Sequence, residues 1–309
     1  MDYQEHYLGP LCKLRNWVLM FINNKNAYSS ALSANPNAIH LLEKNLDKID
    51  WQYLSSRNPN AIHLLEKNLD KINWRYLSLN PNAIHILEKN PEKIYWSWLP
   101  LNPNAIHILE KNLDKISWWN LSMNPNAIHL LEKNLDIISW WNLSMNPNAI
   151  HILEKNLDKI DWVGLSRNPN AIHLLEKNID KINWVCLSRN PNAIHILEQN
   201  IDKINWDRLS SNPNAIHLLE KNMDKINWDR LSLNPNAIHL LEKKIGMGMK
   251  QNICAFKLTL NPAIFEYDYE AMQKRINVYK EELVAKQFHP KNMSKFVSWG
   301  FEDFEDLEF

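Results

Sequence analysis

Glycine is scarce in this chain of 309 residues, with five in all, and none forms a GxGxxG or GxxxxGK[ST] arrangement, which removes the loops that cradle phosphates. Cysteine is scarcer. Cys12, Cys186 and Cys254 are odd in number and show no CxxC spacing, which argues against a disulfide framework and a zinc module and fits a reducing compartment. Charge of one sign is not in excess, because Lys plus Arg and Asp plus Glu both total 35. No net field then steers the protein to phosphates or to an anionic membrane. The balance holds locally too, as in Glu66, Lys67, Asp70 and Lys71. The early apolar run from Trp17 to Ile22 is far too short to span a bilayer. There is no GxSxG, HExxH or paired-carboxylate arrangement. These absences describe a soluble, unsecreted, non-enzymatic protein with no cofactor, no metal and no membrane partner.

What is present is repetition. Asn-Pro-Asn-Ala-Ile-His occurs ten times, starting at Asn35, Asn58, Asn80, Asn102, Asn124, Asn146, Asn168, Asn190, Asn212 and Asn234. Every step is 22 residues except the first, which is 23 and carries its extra residue beside Ser55 and Ser56. A period of this size means a solenoid, in which each unit is too small to fold alone and stacks on its neighbours.

Within one unit, Asn58 is a preferred N-cap and Pro59 suits the first helical position, where its missing N–H has no partner anyway. The predicted helix runs to about Lys67, with Ala61, Ile62, Leu64 and Leu65 on one arc. Asn68 ends it, and Leu-Asp-Lys-Ile reads as a tight turn that tolerates Pro91 in one copy. Asp, Asn or Ser then precedes the repeat tryptophan in eight of nine copies, marking a second helix with room for about five residues and so a 3₁₀ turn. The expected fold is all-α: a right- or left-handed α-solenoid of short helix pairs. It comprises an eroded N-terminal cap (1–34), ten tandem repeats (35–244), a divergent helical C-terminal cap (245–300) and an acidic-aromatic tail (301–309). Gly246 and Gly248 open a joint, Asn261-Pro262-Ala263-Ile264 is a displaced last copy, and helices are expected over 270–286 and 290–299. Ten units at about 9 Å each would make a rod roughly 90 Å long.

The unit Asn-Pro-Asn-Ala-Ile-His-Leu-Leu-Glu-Lys-Asn with Ile-Asp-Trp-x-x-Leu-Ser resembles the short-repeat proteins of giant DNA viruses of the mimivirus and marseillevirus kind, over Asn35 to about Lys244. Glu266-Tyr267-Asp268-Tyr269-Glu270 followed by His289-Pro290 resembles the ending of the same proteins. More distantly, the leucine and Asn-Pro spacing is similar to leucine-rich variant repeats, which alternate an α-helix with a 3₁₀ helix. The resemblance implies a viral source, with the host cytoplasm or the virion as location, and supplies no chemistry.

The ten repeat histidines, His40 to His239, lie on the polar arc near the glutamate three residues on, as His63 and Glu66 do. One per unit makes a ladder and not a convergent metal cluster. The nine repeat tryptophans, Trp51 to Trp228, are read as core staples between units in preference to a rail for stacking bases. Positions that differ among copies point to an exposed stripe. They are the two residues after each tryptophan and the one before each Asn-Pro. Tyr53, Tyr76, Trp98, Trp119, Met123, Trp141, Met145, Arg208 and Arg230 are its candidate partner-binding side chains. Duplication history explains part of the pattern, since two adjacent copies share Trp-Trp-Asn-Leu-Ser-Met. The expected role is a repeat scaffold for protein partners. The alternative is a structural component of the virion, a minor capsid or cement protein touching capsid proteins. A repeat that reads RNA is disfavoured by neutral charge, and nucleic acid is not the expected partner. The tail is read either as a docking segment or as folding back on the last repeat.

Overall fold

The computed structural model of the chain describes residues 11–22, 25–287 and 289. The tail and the helix expected over 290–299 lie outside them. The fold is an all-α solenoid of short helix pairs. In a typical unit the Asn58 side chain accepts from the Asn60 amide at 3.2 Å, setting the turn that leads into the helix Ile62–Glu66. Asn68 then donates to the Leu64 carbonyl at 2.8 Å, which satisfies one of the carbonyls orphaned at the helix end. Three details differ from the sequence expectation. The first helix begins at Ile62 with Ala61 at its cap position, and Asn58 and Pro59 form the turn before it. The Leu-Asp-Lys connection is the 3₁₀ element in most copies, as in Leu69–Lys71, and Pro91 opens such a turn in its own copy. The tryptophan helix is a single α-turn, as in Trp74–Leu77, because the cap Asn73 accepts from the third amide, of Tyr76.

Neighbouring units are joined by buried asparagines. Asn80 donates both side-chain N–H groups to the preceding unit, to the Ser55 and Asn58 carbonyls at 3.0 and 3.2 Å, while its oxygen holds its own turn. Asn58, Asn102, Asn124, Asn146, Asn168, Asn190, Asn212, Asn234 and Asn261 repeat this arrangement on their own preceding units. Each of these side chains therefore spends all its donors inside the protein, and burial makes every one of those bonds costly to lose. A buried serine adds a second tie. Ser122 donates to the Trp118 carbonyl at 2.8 Å and accepts the Ser139 amide of the next unit at 2.9 Å.

The series does not end in two caps. Asn35 donates to the carbonyls of Thr259 and Asn261 at 2.9 and 3.1 Å, and Asn37 to that of Pro262 at 3.1 Å. These are the bonds that Asn58 and Asn60 make to residues 33, 35 and 36. The first unit thus stacks on the last as any unit stacks on its neighbour, and the solenoid is a closed ring of eleven units, numbered by Asn35, the nine asparagines from Asn58 to Asn234, and Asn261. This replaces the open rod expected from periodicity. The residues read as eroded or displaced copies supply the closing units. The displacement is absorbed by a longer helix, Ile238–Gly246, and by two left-handed residues, Gly248 and Asn252.

Three further contacts seal the joint. Strand β1 (Cys12–Leu14) pairs antiparallel with β2 (Phe265–Tyr267). Arg15 bonds the Ala263 carbonyl at 3.0 Å and Glu242 at 2.8 Å, where Trp17 also donates. Phe265, the largest fully buried side chain among the described residues, meets the His40 ring edge-on with centroids 5.8 Å apart.

Burial holds the His40 pKa below its ordinary value of 6.5, Lys44 adds to the effect, and the Asn37 carbonyl and Glu43 oppose it. A depressed histidine pKa means that the fold prefers the neutral ring. The stability it contributes is complete above pH 6.5 and is lost as pH falls from there through the lower folded value. Hydrogen exchange of the Cys12–Leu14 amides, corrected for intrinsic rates, is therefore expected to quicken between pH 7.5 and pH 5 in the native chain. A His40→Phe chain should not show that change; an equal response in both would place the pH sensitivity elsewhere.

After β2 comes one long helix, Tyr269–Gln287, which is exposed along most of its length. Among the described residues no helix is long and apolar enough to cross a membrane.

Candidate functional site

The second helices of successive units line the inner wall of the ring. Contacts that skip a unit identify this face, because only on a concave wall do alternate units meet. Tyr53 and Phe256 belong to units separated by the one that carries Ala31, yet their rings touch edge-on at 6.2 Å. Met123, Arg167, Val185, Cys186, Arg189 and Arg208 come from units spread over four steps and line one cavity of about 510 Å³. With adjacent helices about 8–10 Å apart, eleven units close a circle roughly 30 Å across through the inner helix axes. Removing the thickness of the walls, about 10 Å, leaves a lumen of roughly 20 Å.

Every expected stripe residue occupies a position that faces this lumen: first or second after the tryptophan, or just before the next Asn-Pro. The wall has two unlike sectors. One is aromatic. Tyr76 meets Trp98 edge-on at 5.1 Å, and Arg75 lies over the same indole at 4.2 Å, a favourable cation–π distance. Trp119 and Trp141, in consecutive units, stack at 6.0 Å with planes 19° apart while remaining 55% and 41% exposed. Two tryptophans stacked on each other and still this exposed form an apolar patch on the wall.

The other sector is basic. Arg167, Arg189 and Arg208 line the cavity. Arg167 donates from Nε to the Cys186 sulfur at 3.3 Å. Farther along, Asp207 pairs with Arg230 at 3.1 Å and Asp229 with Lys257. Bonding to Asn227, followed by Arg230, holds the Asp207 carboxyl below its ordinary range. Met145 reaches the boundary between sectors at Gly164. A Cβ there would stand 2.8 Å from the Trp141 carbonyl and 3.2 Å from Met145, so only glycine allows this approach.

Neutrality, read along the chain, concealed this arrangement. Six of the eight arginines (Arg57, Arg75, Arg167, Arg189, Arg208 and Arg230) sit at inner-wall positions, with Arg15 and Arg275 elsewhere. The balanced Glu, Asp and Lys of each unit lie in the first helix and its connection, outside the inner wall. The sign of charge is sorted radially, and arginine in preference to lysine was the available signal. Arg57, Arg75, Arg167 and Arg189 join the candidates on this ground, and Phe256 and Lys257 by their contacts with Tyr53 and Asp229.

The outer residues have structural employment. Nine histidines, from His63 to His239, pair with the glutamate of the preceding unit at 2.6–3.0 Å, His63 with Glu43 and not with Glu66. Among the described residues no group of three side chains is placed to hold a metal ion. The repeat tryptophans are half-buried against the core, and in most units a lysine from the next one covers the exposed face, as Lys181 covers Trp162 at 4.7 Å. Staple is therefore half the description; the other half is a cation–π contact between units. Comparison with protein-family models, with curated proteins and with solved structures finds no match to this chain.

Proposed function

We propose that this protein is a non-enzymatic binding ring that holds an acidic polypeptide segment bearing aromatic or aliphatic side chains within its lumen. The observation that carries the reading is the two-part inner wall: the exposed indole stack of Trp119 and Trp141 beside a sector where Arg167, Arg189 and Arg208 line one cavity. Guanidinium groups bind carboxylates with two parallel hydrogen bonds. Apolar side chains of the same segment take the indole side. A nucleic acid strand, charged along its whole length, would leave the aromatic half of the wall without phosphate contacts. A roughly 20 Å opening admits one helix or one extended chain.

The test is a titration of an acidic, phenylalanine-bearing peptide into the intact protein, followed by tryptophan fluorescence. An Arg189→Glu, Arg208→Glu chain should bind at least tenfold more weakly, whereas Lys111→Glu, Lys155→Glu, just after the first helices of their units, should bind as the native chain does. Equal losses in both, or tighter binding of single-stranded RNA than of peptide, would overturn the reading. A bracing role in a virus particle, the other expectation from the sequence, would have to work through the lumen or the outer rim, since the ring offers no free solenoid ends.

A further inference from the structure

The helix Tyr269–Gln287 follows β2, and from Gln273 to Lys286 every one of its side chains is exposed. At 1.5 Å per residue it is about 28 Å long. Helices in proteins draw most of their stability from packing an apolar face, and this one carries such a face in the open. Tyr269, Met272, Ile276, Tyr279 and Leu283 are spaced alternately three and four residues apart, the repeat of a helix that lies along a second helix. Ile276, Tyr279 and Leu283 are 57%, 57% and 62% exposed and line one groove with Lys280, Glu282 and Lys286. Val278 and Val284 are exposed as well, but they lie roughly 100° or more around the helix from this seam.

We propose that the seam is covered by a second copy of the same helix, the two running antiparallel with a ring at each end of the pair. Charge at the margins of the seam selects both the occupant and the direction. Seating Ile276 on the Tyr279 of the other copy, and Met272 on its Leu283, makes four apolar layers related by a twofold axis, so each contact is made twice. In that register Arg275 stands beside the Glu282 of the other copy, again twice, and Gln273 beside its Lys280. A parallel pair with the same seam would instead set Arg275 against Lys280 on both sides. Within one helix Arg275 and Glu282 are about 10 Å apart along the axis, too far to pair, and Arg275 lies over its own Tyr279 ring at 5.6 Å. The sequence of this one helix thus carries both halves of the charge match. The pairing is independent of what the lumen binds.

Sedimentation equilibrium of the full chain tests it, against a mass of 36.6 kDa for one copy. The native protein is expected to reach twice that mass, with a dissociation constant in the micromolar range. Ile276→Glu with Leu283→Glu should raise that constant at least tenfold. These positions lie outside the eleven junctions, and matching thermal unfolding checks that the ring is intact. Arg275→Glu alone should raise the constant at least threefold, and adding Glu282→Arg to the same chain should restore it, because opposite charges are then back in register. A native chain that stays monomeric at about 100 µM overturns the proposal and means that residues 290–309 or an unlike partner cover the seam. Dimers indifferent to Ile276→Glu with Leu283→Glu would place the contact elsewhere, and tighter dimers from Arg275→Glu alone would make the pair parallel; either result overturns it too.

Discussion

Replacing Asn146 with alanine is expected to cost about 3–5 kcal/mol of stability, several times the cost of the same change at its neighbour Asn148. Asn146 is 1% exposed and makes three bonds: to the carbonyls of Ser122 and Asn124 at 3.1 and 2.9 Å, and from the Asn148 amide at 3.0 Å. Alanine removes the donor to the buried Ser122 carbonyl and the acceptor of the Asn148 amide, and leaves the Asn124 carbonyl with the Ala127 amide alone, at 3.2 Å. Asn148 makes one side-chain bond, to the Pro125 carbonyl at 2.9 Å, where solvent substitutes for what is lost. Urea unfolding of the two variants beside the native chain measures the difference. Similar small losses at both positions would mean that the asparagine ladder is not what binds unit to unit.

The second large effect is expected at the joint. Phe265 is 2% exposed and packs on His40, so Phe265→Ala should cost about 3–5 kcal/mol in lost burial and cavity. The place where the cost falls differs from the first case. Every other junction links units that are also consecutive along the backbone, whereas this one joins residues more than two hundred positions apart. In a stacked array each interface contributes through nearest neighbours, so weakening this one lets the ends part while the remaining interfaces hold. Small-angle scattering should then show a larger radius of gyration, with faster hydrogen exchange confined to β1, β2 and the helices Lys25–Ala34 and Ala255–Leu260. Unchanged dimensions with uniformly faster exchange would mean that the ring opens elsewhere.

The local build of a unit was legible in the sequence because it depends on short-range rules. Asn73 before Trp74 behaves as a cap as its residue type predicts, whereas Asn58 before Pro59 holds the turn ahead of the helix, whose cap position is Ala61. Closure was not legible. A period says which units are neighbours but not by how much each is rotated against the last, and that rotation follows from how two short helices fill space between layers. The closing pair was hidden further by spacing, since Asn261 stands 27 residues after Asn234 and Asn35 answers to no Asn-Pro before it. The histidines show the same limit. On a helical wheel His63 sits beside Glu66, but its bond goes to Glu43, because a five-residue helix presents its polar face to the next unit as readily as to itself. The candidate stripe was found by asking where copies disagree. Its concave placement, and the sorting of arginine onto it, required the curvature.

Closure also fixes arithmetic. An open solenoid accepts one more or one fewer repeat at little cost, since the added unit finds the same neighbours as the rest. Here eleven junctions must together turn the chain through a full circle, about 33° at each, and a twelfth would require every one of them to relax to about 30° at once. Duplication of a single unit, the event that builds such genes, is therefore not a neutral step for this protein. The copy number is a structural property of the whole ring, held in place by the fit at its one non-consecutive joint.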